Sequence, residues 1–242
     1  MRTLIVGLSL PNADFDNHSF LNAPSFAEYQ QLVVDTASVS RTVDDVVNGA
    51  AAHTTYGGQA IVNGDASAHA FSLRTLLEMR RRETEWVISH VGLVVLLAYP
   101  EVTQSDVAGG PWRSYDWLPR PEAFSFETDL LAGFGRPGAV LVDSGHAFAP
   151  YIQQLAPHVA YRVYLNETVV AVRNAHVFAR SSGGQAIGFE LPLGEGRLVV
   201  LPPLVKPESD RPRTAAAIAD SLAHWREQAS TAAERHTKKE VS

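Results

Sequence analysis

Val91-Gly92-Leu93-Val94-Val95-Leu96-Leu97-Ala98 is an unbroken apolar run about the length of one strand. A strand that is apolar on both faces belongs inside a parallel sheet with helices covering each side. Ahead of it, residues 72–90 place Leu73, Leu76, Leu77, Trp86 and Val87 at helical spacing, with Arg80 and Glu83 on a charged back. Helix, glycine, aliphatic strand is the rhythm of a crossover unit. Just beyond the run, Tyr99-Pro100-Glu101 falls where an open α/β sheet presents its ligand-binding loop.

Outward from this centre, residues 3–8 read as a buried strand closed by Ser9-Leu10-Pro11-Asn12, and residues 31–35 as a second strand ending on Asp35. Ser25 is placed to cap a short turn. Val43, Val46 and Val47 predict a helix over 42–48 stopped by Gly49, and the Gly- and Thr-rich residues 53–64 predict an excursion or hairpin. Residues 138–142 form a short strand, after which Asp143-Ser144-Gly145 caps a helix over 146–155. Past Pro157 come short strands at 160–165, 169–172, 176–181, 186–191 and 197–201, with hairpin points at Gly183-Gly184 and Gly194-Glu195-Gly196. An amphipathic helix over 214–233 and a charged, flexible tail over 234–242 complete the chain. The expected fold is a single α/β domain over 1–233. It is a three-layer, flavodoxin-like sandwich with a mostly parallel central sheet and additional antiparallel strands in the C-terminal half.

Bulk properties narrow the function. A formal net charge of −6 gives no support to nucleic-acid binding, and Arg80-Arg81-Arg82 meets Glu83 and Glu85 as a solvated, locally paired helix face. With no cysteine, disulfides, thiolate nucleophiles and Cys-ligated metals are excluded together. No stretch reaches the roughly 20 apolar residues of a membrane helix, and the first residues read as a strand rather than a signal segment. A cytoplasmic location is the expectation.

Asp143 and His146 before a helix, residues 184–191, and then Gly194-Glu195-Gly196-Arg197-Leu198-Val199-Val200-Leu201-Pro202 resemble the second half of class I glutamine amidotransferase-like domains, nearest to the trehalose-utilisation-type branch. The resemblance implies the same three-layer fold. It also implies a nucleophilic cysteine on the turn after the third strand, and here that turn is Ala98-Tyr99-Pro100-Glu101. Thiol chemistry is therefore absent. A serine elbow fails too, because Gly7-Leu8-Ser9-Leu10-Pro11 lacks the last glycine of Gly-x-Ser-x-Gly. No residue is assigned a catalytic role.

Ligand-binding candidates cluster after the strands: Ser9, Asp14, Asp16, His18, Asp35, Tyr99 and Glu101. Asp14, Asp16 and His18 could hold a divalent metal completed by Glu101 or Asp35, or could simply make turns. No cofactor is otherwise implied. Asp143 and His146 read as a helix cap, with a general base oriented by a carboxylate as the alternative. Residues 53–59 lack the pattern of a phosphate-binding loop. In the long loop of 103–126, Trp112, Tyr115 and Trp117 either pack on their own core, wall a pocket or contact a partner, and they stand as interface candidates. The expectation is a non-catalytic, amidotransferase-like binding or scaffold subunit that meets a protein partner or a second copy. The alternative is a hydrolase or small-molecule binder using Asp14, Asp16, Glu101 and His18, with or without a metal.

Overall fold

The computed structural model describes residues 2–47, 52–54, 60–62, 68–101, 103–104, 112–122, 124–170, 174–204 and 209–240. In chain order the elements are β1 (Thr3–Val6), β2 (Phe15–His18), a 3₁₀ turn (Phe26–Glu28), β3 (Gln31–Asp35), α1 (Thr36–Val47), β4 (Ala52–Thr54), β5 (Ala60–Val62) and α2 (Ala68–Ser89). They continue with β6 (Leu93–Leu97), β7 (Thr103–Gln104), β8 (Trp112–Arg113), β9 (Leu130–Ala132), β10 (Val140–Leu141), α3 (Ala149–Leu155) and β11 (Val163–Leu165). The last are α4 (Glu167–Val170), β12 (His176–Arg180), β13 (Ala186–Leu193), β14 (Gly196–Leu201) and α5 (Arg211–Glu240).

An 8-stranded sheet in the order β10-β12-β13-β14-β6-β3-β1-β2 is the middle layer. From β2 through β14 neighbouring strands run parallel, and β13, β12 and β10 continue the sheet antiparallel. The apolar run supplies β6, paired to β3 on one side and β14 on the other, with Val95 level with both Val33 and Val199. Its alternate residues enter two different cores, as period-2 geometry requires. Val94 and Leu96 join a layer with Leu73, Leu77 and Val87 of α2 and with Trp117 and Phe126. Leu93, Val95 and Leu97 meet Tyr151 and Ile152 of α3 and Ile218 and Leu222 of α5. The expected three-layer α/β architecture with its antiparallel flank is what the chain adopts.

Local differences have physical reasons. Val91 and Gly92 are the turn out of α2 rather than part of the strand. Gly92 N donates to Val87 O at 3.0 Å, and the exposed Val91 takes the left-handed φ of 58° that a β-branched residue normally avoids. α1 starts at Thr36, directly against β3; Gly49, its expected stop, lies outside the described residues. α3 starts at Ala149 behind Phe148, which makes no side-chain cap, so Asp143 does not cap it. The segment expected as a strand at 169–172 opens instead as the helical turn α4, its later residues being undescribed. Finally, α5 runs on through Glu240, into the stretch whose composition suggested a frayed tail.

Candidate functional site

The carboxyl ends of the parallel strands meet at one edge of the sheet. After β1, Gly7 turns the chain with φ +82° and donates its N–H to His18 O at 2.9 Å. A Cβ on Gly7 would sit 2.0 Å from Ser38 Oγ, so only glycine lets this turn close onto the start of α1. The loop is then clamped from β2: Asn17 Oδ1 accepts from Leu10 N at 2.8 Å while its Nδ2 donates to Leu10 O at 3.0 Å. At the end of β3, Asp35 caps α1 by accepting from Ala37 N at 3.2 Å, and its other oxygen accepts from Arg41 at 3.0 Å. After β6, Thr36 Oγ1 accepts from Tyr99 N at 2.9 Å, and Tyr115 Oη donates to Tyr99 O at 2.6 Å.

These fixed ends enclose a narrow pocket of about 20 Å³. Leu8, Leu10, Leu97 and Leu204 supply apolar wall; Ser9, Asp35, Tyr99, Arg211 and Thr214 supply polar groups. Outside it, Ser9, Leu10 and Arg211 also border an open groove of about 420 Å³ with Asn12 and Asn17. Burial pushes the Asp35 carboxyl above its ordinary value, against the pull of Arg41. It likewise raises the Tyr99 phenol, and the nearby Asp35 charge adds to the effect.

Of the candidates read from sequence, the pocket unites Ser9, Asp35 and Tyr99. The others lie elsewhere. Because β2 runs parallel to β1, Asp14 stands beside Thr3, whose N–H it accepts through its carbonyl at 3.0 Å. That is the opposite edge of the sheet, and Asp14 is exposed there. Asp16 and His18 do meet, His18 Nε2 lying 3.0 Å from Asp16 Oδ1, and the Tyr29 hydroxyl donates to the other carboxylate oxygen. This bond to Tyr29 chiefly holds Asp16 below its usual range, while burial and the Asp16 partner push Tyr29 up to about 12. Glu101 answers to a different set of charges (Arg113, Asp116, Glu127, Arg120), and burial raises it. The shell of Asp14, Asp16, His18 and Glu101 therefore does not assemble, and among the described residues no group of three His, Asp or Glu could hold a metal ion.

For Tyr115 and Trp117 the interface reading gives way to core packing. Trp117 is fully buried, edge-on to Phe20 and Phe26 with ring centroids 5.8 and 6.0 Å away. Tyr115 is buried as well and stacks on Phe126 at 4.6 Å. For Trp112 only the backbone, in β8, is described.

A second polar cluster lies on the antiparallel flank. His146, stacked on Phe178 at 3.9 Å, accepts from Phe148 N through Nδ1 at 3.1 Å. That leaves Nε2 as the protonated nitrogen, donating to Glu190 Oε2 at 3.3 Å. The other Glu190 oxygen pairs with Arg197 Nε at 3.2 Å. Asp143 accepts from Gly145 N at 2.8 Å and pairs with His176 at 2.8 Å; the first of these is the main cause of its lowered pKa. With both ring nitrogens engaged, His146 has no lone pair free for a substrate proton in this arrangement, which does not favour it as a general base.

Arg211 and Thr214 were missed by sequence reasoning. They open α5 far along the chain from the other pocket residues, and no local pattern marks them; only the register of the last helix brings them here.

No family model matches the chain, and no curated protein does. Among solved structures the chain is similar to a cytoplasmic protein from Salmonella typhimurium LT2, with 12% identity over 93% of this chain and 96% of that one and a TM-score of 0.46. Among the described residues no helix is long and apolar enough to cross a membrane.

Proposed function

We propose that this chain is a binding module of amidotransferase-like α/β shape, holding a small polar ligand non-covalently where its parallel strands end. One observation carries the reading: Asp35, with its side chain only 8% exposed, lines a pocket at that edge instead of being sealed in the core. Open α/β sheets bind ligands outside the carboxyl ends of their strands. Absence of covalent chemistry at the turn after β6 is supported by its geometry. A nucleophile elbow is a strained strand-to-helix turn; here β6 is followed by β7, and Tyr99 is not among the described residues with positive φ.

Residence in the cytoplasm and membership of a larger assembly belong to this proposal too. The support for a partner comes from the exposed Val140 of edge strand β10, Val142 just after it and the exposed Phe134, rather than from the buried Tyr115 and Trp117. A monomer in sizing chromatography with nothing captured from lysate removes that part.

The pocket is tested by thermal unfolding with a panel of small polar compounds. A ligand at a hundredfold excess over its Kd adds about 2.7 kcal/mol, so a binder raises Tm clearly. The rise should vanish in Ser9→Trp, which places a bulky ring at the exposed rim. A rise that survives Ser9→Trp, or turnover of the binder, overturns the reading.

A further inference from the structure

We infer that the deep end of the pocket selects a primary ammonium group, so that the ligand is a small amine seated with its nitrogen against Asp35. This rests on the binding reading above and adds the chemical class. Three features lead to it. The first is unused acceptor capacity. A carboxylate offers about four lone-pair sites; Asp35 spends one on Ala37 N and one on Arg41, both on the α1 side.

The second is incomplete charge compensation. Asp35 is 8% exposed while the Arg41 side chain is 62% exposed, so the partner is largely solvated and its field screened. Leu8, Leu10, Leu97, Pro203 and Leu204 line the pocket beside its polar groups, and this apolar wall raises the strength of any further ionic contact there. A second cation entering from the pocket would meet a carboxylate that burial has left short of positive charge.

Size is the third. About 20 Å³ admits one water-sized group. An –NH₃⁺ head is of that size. Carboxylate, phosphate, guanidinium and quaternary ammonium heads are larger, and the two anions would also face Asp35 directly. Arg211 pulls the other way in charge, yet it borders the outer groove as well. Tyr99, its phenol held protonated by burial and by Asp35, offers an oxygen that can accept from the same ammonium.

The test is amide chemical-shift mapping of the full chain with n-propylammonium, n-propanol, propionate, tetramethylammonium and K⁺ at matched ionic strength. Propylammonium should shift the amides of Ser9, Ala37 and Tyr99 saturably, and tetramethylammonium should not. Asp35→Asn should weaken binding at least tenfold. Arg41→Gln, which removes the competing cation from an exposed position, should tighten it, so the idea stays testable if Asp35→Asn folds poorly. Equal shifts with propanol, propionate or K⁺ would sink the amine inference and leave the pocket standing. Silence at these amides from every probe would sink the pocket reading itself.

Discussion

The edge where the parallel strands end and the antiparallel flank both gather titratable side chains, yet they solve opposite problems. On the flank the polar groups engage one another: His146 spends both nitrogens, Glu190 pairs each oxygen with a cation or imidazole N–H, and Asp143 meets a backbone N–H and His176. At the strand ends Asp35 keeps lone pairs turned into a pocket, with one solvated guanidinium as partner. The difference shows in the acidities, Asp143 lowered and Asp35 raised. The cluster rich in His and Glu is thus engaged within itself, and the sparser group is the one whose carboxylate faces a pocket.

The largest effect should come from the core layer that packs Tyr115 and Trp117 together. Trp117→Ala deletes a fully buried ring two residues from Tyr115 and should cost about 3–5 kcal/mol in urea unfolding. A small cost, with loss of a partner instead, would restore the interface role. Next, His146→Ala strips the ring from Phe178 and orphans Phe148 N, costing roughly 2–4 kcal/mol. Ligand binding at the strand ends, measured on the same variant, should be unchanged. A binding defect larger than the stability loss would break the contrast drawn between the two clusters.

The third check is pH. A carboxyl whose folded pKa is raised binds more protons in the native state, so its contribution falls as pH rises through that raised value. For Asp35 this means stability lost as pH rises above the ordinary aspartate value of 3.8 and through the raised one, relieved in Asp35→Asn. Asp143 has the opposite sign: its stabilisation is present above 3.8 and is lost as pH falls through its lowered folded value. Carboxyl-carbon titration by NMR should place the two on opposite sides of 3.8. Both falling on the same side would erase the distinction. Smallest of all, Tyr99→Phe leaves the backbone bonds of Thr36 and Tyr115 intact and should change stability by no more than about 0.5 kcal/mol, while weakening amine binding.

Much of this was legible in the chain because burial on both faces writes a continuous apolar code. Residues 93–97 and 31–35 could hardly be anything but interior strands, and Asp35 and Tyr99 follow as strand-end residues. Asp14 and Asp16 misled for a definite reason. Their polarity resembles a loop, whereas they flank and occupy an edge strand whose partner exists on one side only, where no apolar face is demanded. Because that strand pairs parallel to β1, Asp14 was carried to the far rim. His146 misled because a helix start looks the same in sequence whether or not the acid before it reaches the first turn.

By itself, the sequence determined the three-layer architecture, the parallel core and the absence of a cysteine thiol, since hydrophobic periodicity and residue type act locally and leave a direct mark. Only the tertiary structure decided which carboxylates share a site and which are already satisfied. Strand direction and the register of α5 set those meetings, and they depend on pairings across the whole chain that no local pattern encodes.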